Sequence, residues 1–148
     1  MNVVSKDRIA PQGPGASPPS FVRVAPRGDR VAFVIEDGPE AGLYAWDATS
    51  GARRLVALED FRIEDVAWSP DAQHIAYSRG GGPPGSYGDV GWVSALAPGE
   101  LGRTAAMGFA WTPKGNALIV ADPFEKALFR RPLAGTDRQR LADLPDDF

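Results

Sequence analysis

From about residue 21 onward, short apolar runs alternate with turn-forming residues, and none keeps the 3.6-residue spacing of an amphipathic helix. Three stretches align without a gap: Val22–Phe33, Val66–Tyr77 and Phe109–Val120. In each, a first apolar segment closes at Val24, Trp68 or Trp111, and a proline-led turn follows. The turns are Pro26-Arg-Gly-Asp29, Pro70-Asp-Ala-Gln73 and Pro113-Lys-Gly-Asn116. Proline presets φ at the first corner and glycine or asparagine accepts positive φ later, so each stretch predicts a hairpin. The second runs, Val31–Ile35, Ile75–Tyr77 and Ala117–Ala121, are apolar on both faces. A strand covered by other layers on each side has no polar face to keep.

Third strands are predicted at Leu43–Trp46, Val90–Val93 and Ala127–Phe129, and fourth strands near Arg53–Leu58, Arg103–Met107 and Arg138–Ala142. Pro26, Pro70 and Pro113 recur roughly every 44 residues, the period of a four-stranded propeller blade. The expected fold is therefore all-β: three four-stranded antiparallel sheets, stacked as blades over 21–60, 61–106 and 107–148. Residues 1–20 read as an extended arm, because the prolines between 11 and 20 cannot donate to a ladder. Asp147-Phe148 repeats the register of Asp60-Phe61, so a fourth unit would begin where the chain stops. Propellers close with about 4–8 blades, and three would leave two apolar faces in water. Two arrangements cover them: a second copy in a two-fold dimer, or further blades of a longer chain.

The run Trp68-Ser-Pro-Asp-Ala-Gln-His-Ile-Ala-Tyr-Ser78 resembles the WD40-like propeller repeat of TolB. Similar repeats form the propellers of prolyl oligopeptidase-type and dipeptidyl-peptidase-type serine peptidases. Ala25–Phe33 with Leu43–Leu55 carries the same resemblance in the first unit, and Trp111–Asn116 carries it more loosely in the third. The resemblance implies a fold, and propellers host many unrelated activities. Ala72 stands where the repeat usually has glycine, and Trp46-Asp47 lacks the Gly-His partner of true WD repeats.

Composition narrows the function classes. With 43% apolar and 24% charged residues the chain has globular composition. A formal charge of −3 and a pI near 5.1 give no basic surface for nucleic acid. The absence of cysteine excludes disulfides and thiolate metal sites. The first ten residues lack the apolar core of a secretory signal, and no stretch reaches the ~20 apolar residues of a membrane helix. A soluble, cytoplasmic protein is expected.

If the strands run in order through each sheet, the second-to-third and blade-to-blade connections share one rim. That rim collects carboxylates, among them Glu36, Asp37, Glu59, Asp60, Glu64, Asp65, Asp89 and Asp122. The opposite rim collects Arg27, Arg30, Arg53, Arg103 and Arg138, with Glu100 among the fewer acids. Glu59, Asp60, Glu64, Asp65 and Asp122 are thus candidates for steering a peptide or basic protein partner. The plainer reading is that surface loops are polar for solubility.

The loop Arg79–Asp89 contains a G-x-G-x-x-G at Gly80, Gly82 and Gly85. A dinucleotide site needs that pattern between a strand and a helix. Here Pro83 and Pro84 remove two N–H donors and a strand follows, so the loop is read as presenting Arg79 and Tyr87 to a partner. His74 is the single histidine and no G-x-S-x-G elbow accompanies it, so no catalytic residue is assigned. The acidic pairs follow no ligand spacing, and neither cofactor nor metal is expected. The expected function is a non-catalytic propeller scaffold. The alternative is the propeller portion of a prolyl-oligopeptidase-like peptidase, gating access to a hydrolase domain outside this chain.

Overall fold

A computed structural model describes residues 3–4, 18–80 and 88–145. Among these residues every regular element is a strand, so no helix is long and apolar enough to cross a membrane. The first sheet holds β2 (Ser20–Val24), β3 (Arg30–Ile35), β4 (Gly42–Asp47) and β5 (Gly51–Ala57). A two-residue strand, β1 (Val3–Val4), pairs antiparallel with β5 and adds a fifth strand to its outer edge. The second sheet holds β6 (Arg62–Trp68), β7 (His74–Gly80), β8 (Asp89–Ser94) and β9 (Glu100–Ala105). The third holds β10 (Gly108–Trp111), β11 (Ala117–Asp122), β12 (Ala127–Pro132) and β13 (Gln139–Asp143). Apart from β1, each is an antiparallel meander in sequence order, matching the expected three four-stranded sheets that close no ring.

The three proline turns share one hydrogen-bond pattern. Ala25, Ser69 and Thr112 each donate N–H to the carbonyl five residues on, at 2.8, 2.8 and 3.0 Å. Gly28, Ala72 and Gly115 donate back to those same residues at 2.8, 2.9 and 2.9 Å. Each of these donors lies in the left-handed region, with φ of 75°, 60° and 73°. Ala72 therefore makes the same turn as the glycines. Its methyl group is buried in the core between the first two sheets, which offsets part of the cost of that φ.

Cross-strand register assigns the faces. Ala32, Val34, Leu43 and Ala45 form the forward face of the first sheet and pack on Val66, Trp68, Ile75, Tyr77 and Val93 of the second. Ala76, Val90 and Trp92 form the forward face of the second and pack on Leu118, Val120 and Phe129 of the third. Edge contacts reinforce the first junction: Arg53 donates to the Leu96 carbonyl at 2.9 Å, and Gly99 N–H to that of Leu55 at 3.0 Å. Phe33, Ile35, Tyr44 and Ala52, on the rear face of the first sheet, make a separate buried cluster in which Phe33 and Tyr44 stack at 5.3 Å.

Candidate partner-binding rim

The seven residues singled out from sequence have three different fates. Glu59, Asp60, Glu64 and Asp65 are exposed around the connection from β5 to β6 and along the start of β6. Asp65 on β6 sits 3.8 Å from Arg23 on β2, an exposed pair worth little. No ion pair among the described residues involves Glu59, Asp60 or Glu64, and Arg62 is the one cation within this stretch. Tyr87, with Gly82 and Gly85, lies outside the described residues.

Arg79 and Asp122 turn inward. Arg79 sits over the Phe61 ring, its guanidinium carbon 3.8 Å from the centroid. Its guanidinium pairs with Asp89 at 3.2 Å and Glu100 at 3.5 Å. Asp122 is only 4% exposed. Its Oδ1 accepts the N–H groups of Phe124 and Glu125 at 2.8 and 3.1 Å, and its Oδ2 accepts from Arg138 at 2.7 Å. Burial pushes its pKa up, but these hydrogen bonds outweigh burial and hold it below the ordinary carboxylate value. Asp122 thus caps the turn between β11 and β12 and anchors Arg138, which covers the Phe129 ring at 3.7 Å.

Around Arg79 is a network that sequence reading divided between opposite rims. The Tyr77 hydroxyl donates to Glu100 Oε2, and Arg103 pairs with Glu100 at 3.1 Å and with Asp89 at 3.8 Å. Tyr77 is fully buried; burial first, then its bond to Glu100, raises its pKa far above that of a free phenol. Asp89 is also raised, burial outweighing the two arginines. The sequence places Glu100 and Arg103 on the basic rim, yet their side chains meet Arg79 and Asp89 at the acidic one. A readable signal existed in Gly91, which stands opposite Tyr77 and leaves space for the Glu100 carboxylate.

At this rim an open groove of about 380 Å³ runs between the second and third sheets. Gly88, Asp89, Arg103, Thr104, Ala105 and Phe124 line it. Phe124 is 70% exposed, so the groove has one apolar wall and a paired acid and base on the other.

His74 makes no triad with its neighbours. Ser69 donates its hydroxyl to Asp71 at 2.6 Å, and the backbone N–H of His74, not its ring, donates to Ser69 Oγ at 3.0 Å. The arrangement is a turn clamp. Among the described residues no group of three or more His, Cys, Asp or Glu is placed to hold a metal ion.

No protein-family model matches the chain, and no curated protein sequence matches it. Solved structures do. An acylaminoacyl peptidase, solved with Z-Gly-Gly-Phe-chloromethyl ketone, superposes with a TM-score of 0.63 at 11% identity, over 85% of this chain and 25% of that one. A structure from a study of two prolyl endopeptidases gives 0.58 at 15% identity, over 89% and 23%. TolB from Acinetobacter baumannii gives 0.54 at 13% identity, over 84% and 32%. The chain has the TolB-like and peptidase-type propeller fold. Its three sheets are therefore three blades, with β2, β6 and β10 innermost. The chain spans between about a quarter and a third of these structures, so the likeness concerns the fold and not their activities.

Proposed function

We propose that the chain is a non-catalytic propeller scaffold that binds a basic peptide or protein segment at its acidic rim, within a ring completed by further propeller structure. The observation that carries this reading is the cluster of exposed carboxylates at Glu59, Asp60 and Glu64, which enter no ion pair among the described residues and outnumber the single cation between them, Arg62. Unpaired like charges at one edge cost stability and attract counter-charge. The neighbouring groove offers Phe124 as an apolar contact beside Asp89.

Fluorescence anisotropy with a labelled lysine- and arginine-rich peptide tests the proposal. Binding should weaken as salt rises, and Glu59→Lys, Asp60→Lys and Glu64→Lys together should weaken it at least tenfold. Affinity indifferent to both salt and charge reversal would remove the acidic rim from the reading.

A second reading follows from the peptidase structures that share the fold. As the propeller portion of a serine peptidase, the chain would restrict which substrates reach a hydrolase domain elsewhere. A hydrolase segment encoded in the same protein would favour it, and the rim would then face that domain.

A further inference from the structure

The blades are joined by a repeated indole bond. Trp68, closing β6, donates its ring N–H to the Arg23 carbonyl on β2 at 2.8 Å. Trp111, closing β10, donates to the Ala67 carbonyl on β6 at 3.1 Å. Arg23, Ala67 and Ala110 occupy one register position, each one residue before the end of its strand, opposite Ala32, Ala76 and Ile119. Two of these three edge carbonyls thus take an indole from the following blade. Ala110 is the third, and it is exposed.

The same register isolates the forward face of the third blade. Ile119, Ala121, Leu128 and Arg130 stand where the first blade has buried Ala32, Val34, Leu43 and Ala45. All four are partly exposed. We infer that this face is a docking surface for a further propeller blade whose first strand ends in tryptophan, with Ala110 accepting its indole N–H. The occupant is a further blade and not a second copy of this chain, because the blade that a second copy would offer is its first, where Val24 occupies the tryptophan position and has no donor.

The inference rests on the incomplete ring in the proposed function but is independent of the rim. The test extends the full chain after Phe148 with a second copy of residues 62–106, which places a tryptophan one period beyond Trp111. Hydrogen exchange at the β10 and β11 amides should slow at least tenfold against the unextended chain. Most of that gain should vanish when the appended copy carries Trp68→Val. Unchanged exchange, an appended sheet that stays unfolded, or equal protection with valine would each overturn the inference. So would a wild-type dimer that shields Ala121 and Leu128 from exchange. Peptide binding at the rim is read separately, so a failure here leaves that reading standing, and the reverse also holds.

Discussion

Gly91 on β8 faces Tyr77 on β7 so closely that a Cβ at this position would lie 2.8 Å from the Tyr77 hydroxyl oxygen and 2.7 Å from Glu100 Oε2. The missing side chain is what lets a buried phenol, a carboxylate and two arginines share one face of a sheet. Gly91→Ala should therefore destabilise the protein by about 1–3 kcal/mol, the usual cost of overpacking. Urea unfolding would measure it. A midpoint unchanged from wild type would mean that the Glu100 carboxylate can swing clear, and that the network is loosely held.

Blade order, the three proline turns and the core strands were all legible in the chain, because each rests on local chemistry repeated three times. Pro26, Pro70 and Pro113 head turns with the same two hydrogen bonds, and Val24, Trp68 and Trp111 share a register position. The candidate site was read less well for a reason of geometry. Sequence places Arg79 and Asp122 on the rim because they follow the second strands, in the connections to the third. Yet each lies two residues beyond a buried side chain, Tyr77 or Val120, and side chains two apart in a strand share a face. That parity turns both inward. Glu100 and Arg103 read as residues of the opposite rim because strand order alone does not say how far long side chains on an outer strand reach along the sheet.

The indole bonds between blades predict a graded response to substitution. Trp68→Phe keeps most of the buried area and loses only the bond to the Arg23 carbonyl, so the loss should be about 0.5–1.5 kcal/mol. Trp68→Ala also empties the core between the first two blades and should cost about 3–5 kcal/mol. Trp111 should follow the same order through Ala67. Thermal or denaturant unfolding of the four variants decides it. If phenylalanine cost as much as alanine, the bond and not the packing would dominate the junction.

Lys126 is exposed in the turn between β11 and β12, with a φ of 51° that side-chain-bearing residues adopt at a cost. Glycine takes this backbone conformation freely, although it also gains entropy in the unfolded chain. The first term is the larger, so Lys126→Gly should stabilise by up to about 1 kcal/mol. Ala72 has a similar φ of 60°, but its methyl is buried, so Ala72→Gly should be nearly neutral. A melting temperature that rises for the first variant and stays flat for the second is the expected pattern. A rise at position 72 equal to that at 126 would show that the buried methyl contributes nothing.

The Asp122 carboxylate gives the fold a pH dependence whose sign follows from its partners. Hydrogen bonds from Arg138 and the Phe124 and Glu125 amides hold its folded pKa below the value of an unfolded aspartate, about 3.9. A group lowered in this way contributes its full stabilisation above the unfolded pKa and loses it as pH falls through the folded one. Asp122→Ala leaves those three donors without their acceptor and should cost about 1.5–3 kcal/mol at neutral pH. The gap between wild type and variant should then narrow as pH falls below about 4, because the protonated carboxyl no longer offers Arg138 a charge. Urea titrations of both proteins from pH 7 to pH 3 measure that gap directly. A gap that stays constant over the range would mean that the carboxylate is not held by charge, and that Arg138 is kept in place by the Phe129 ring alone.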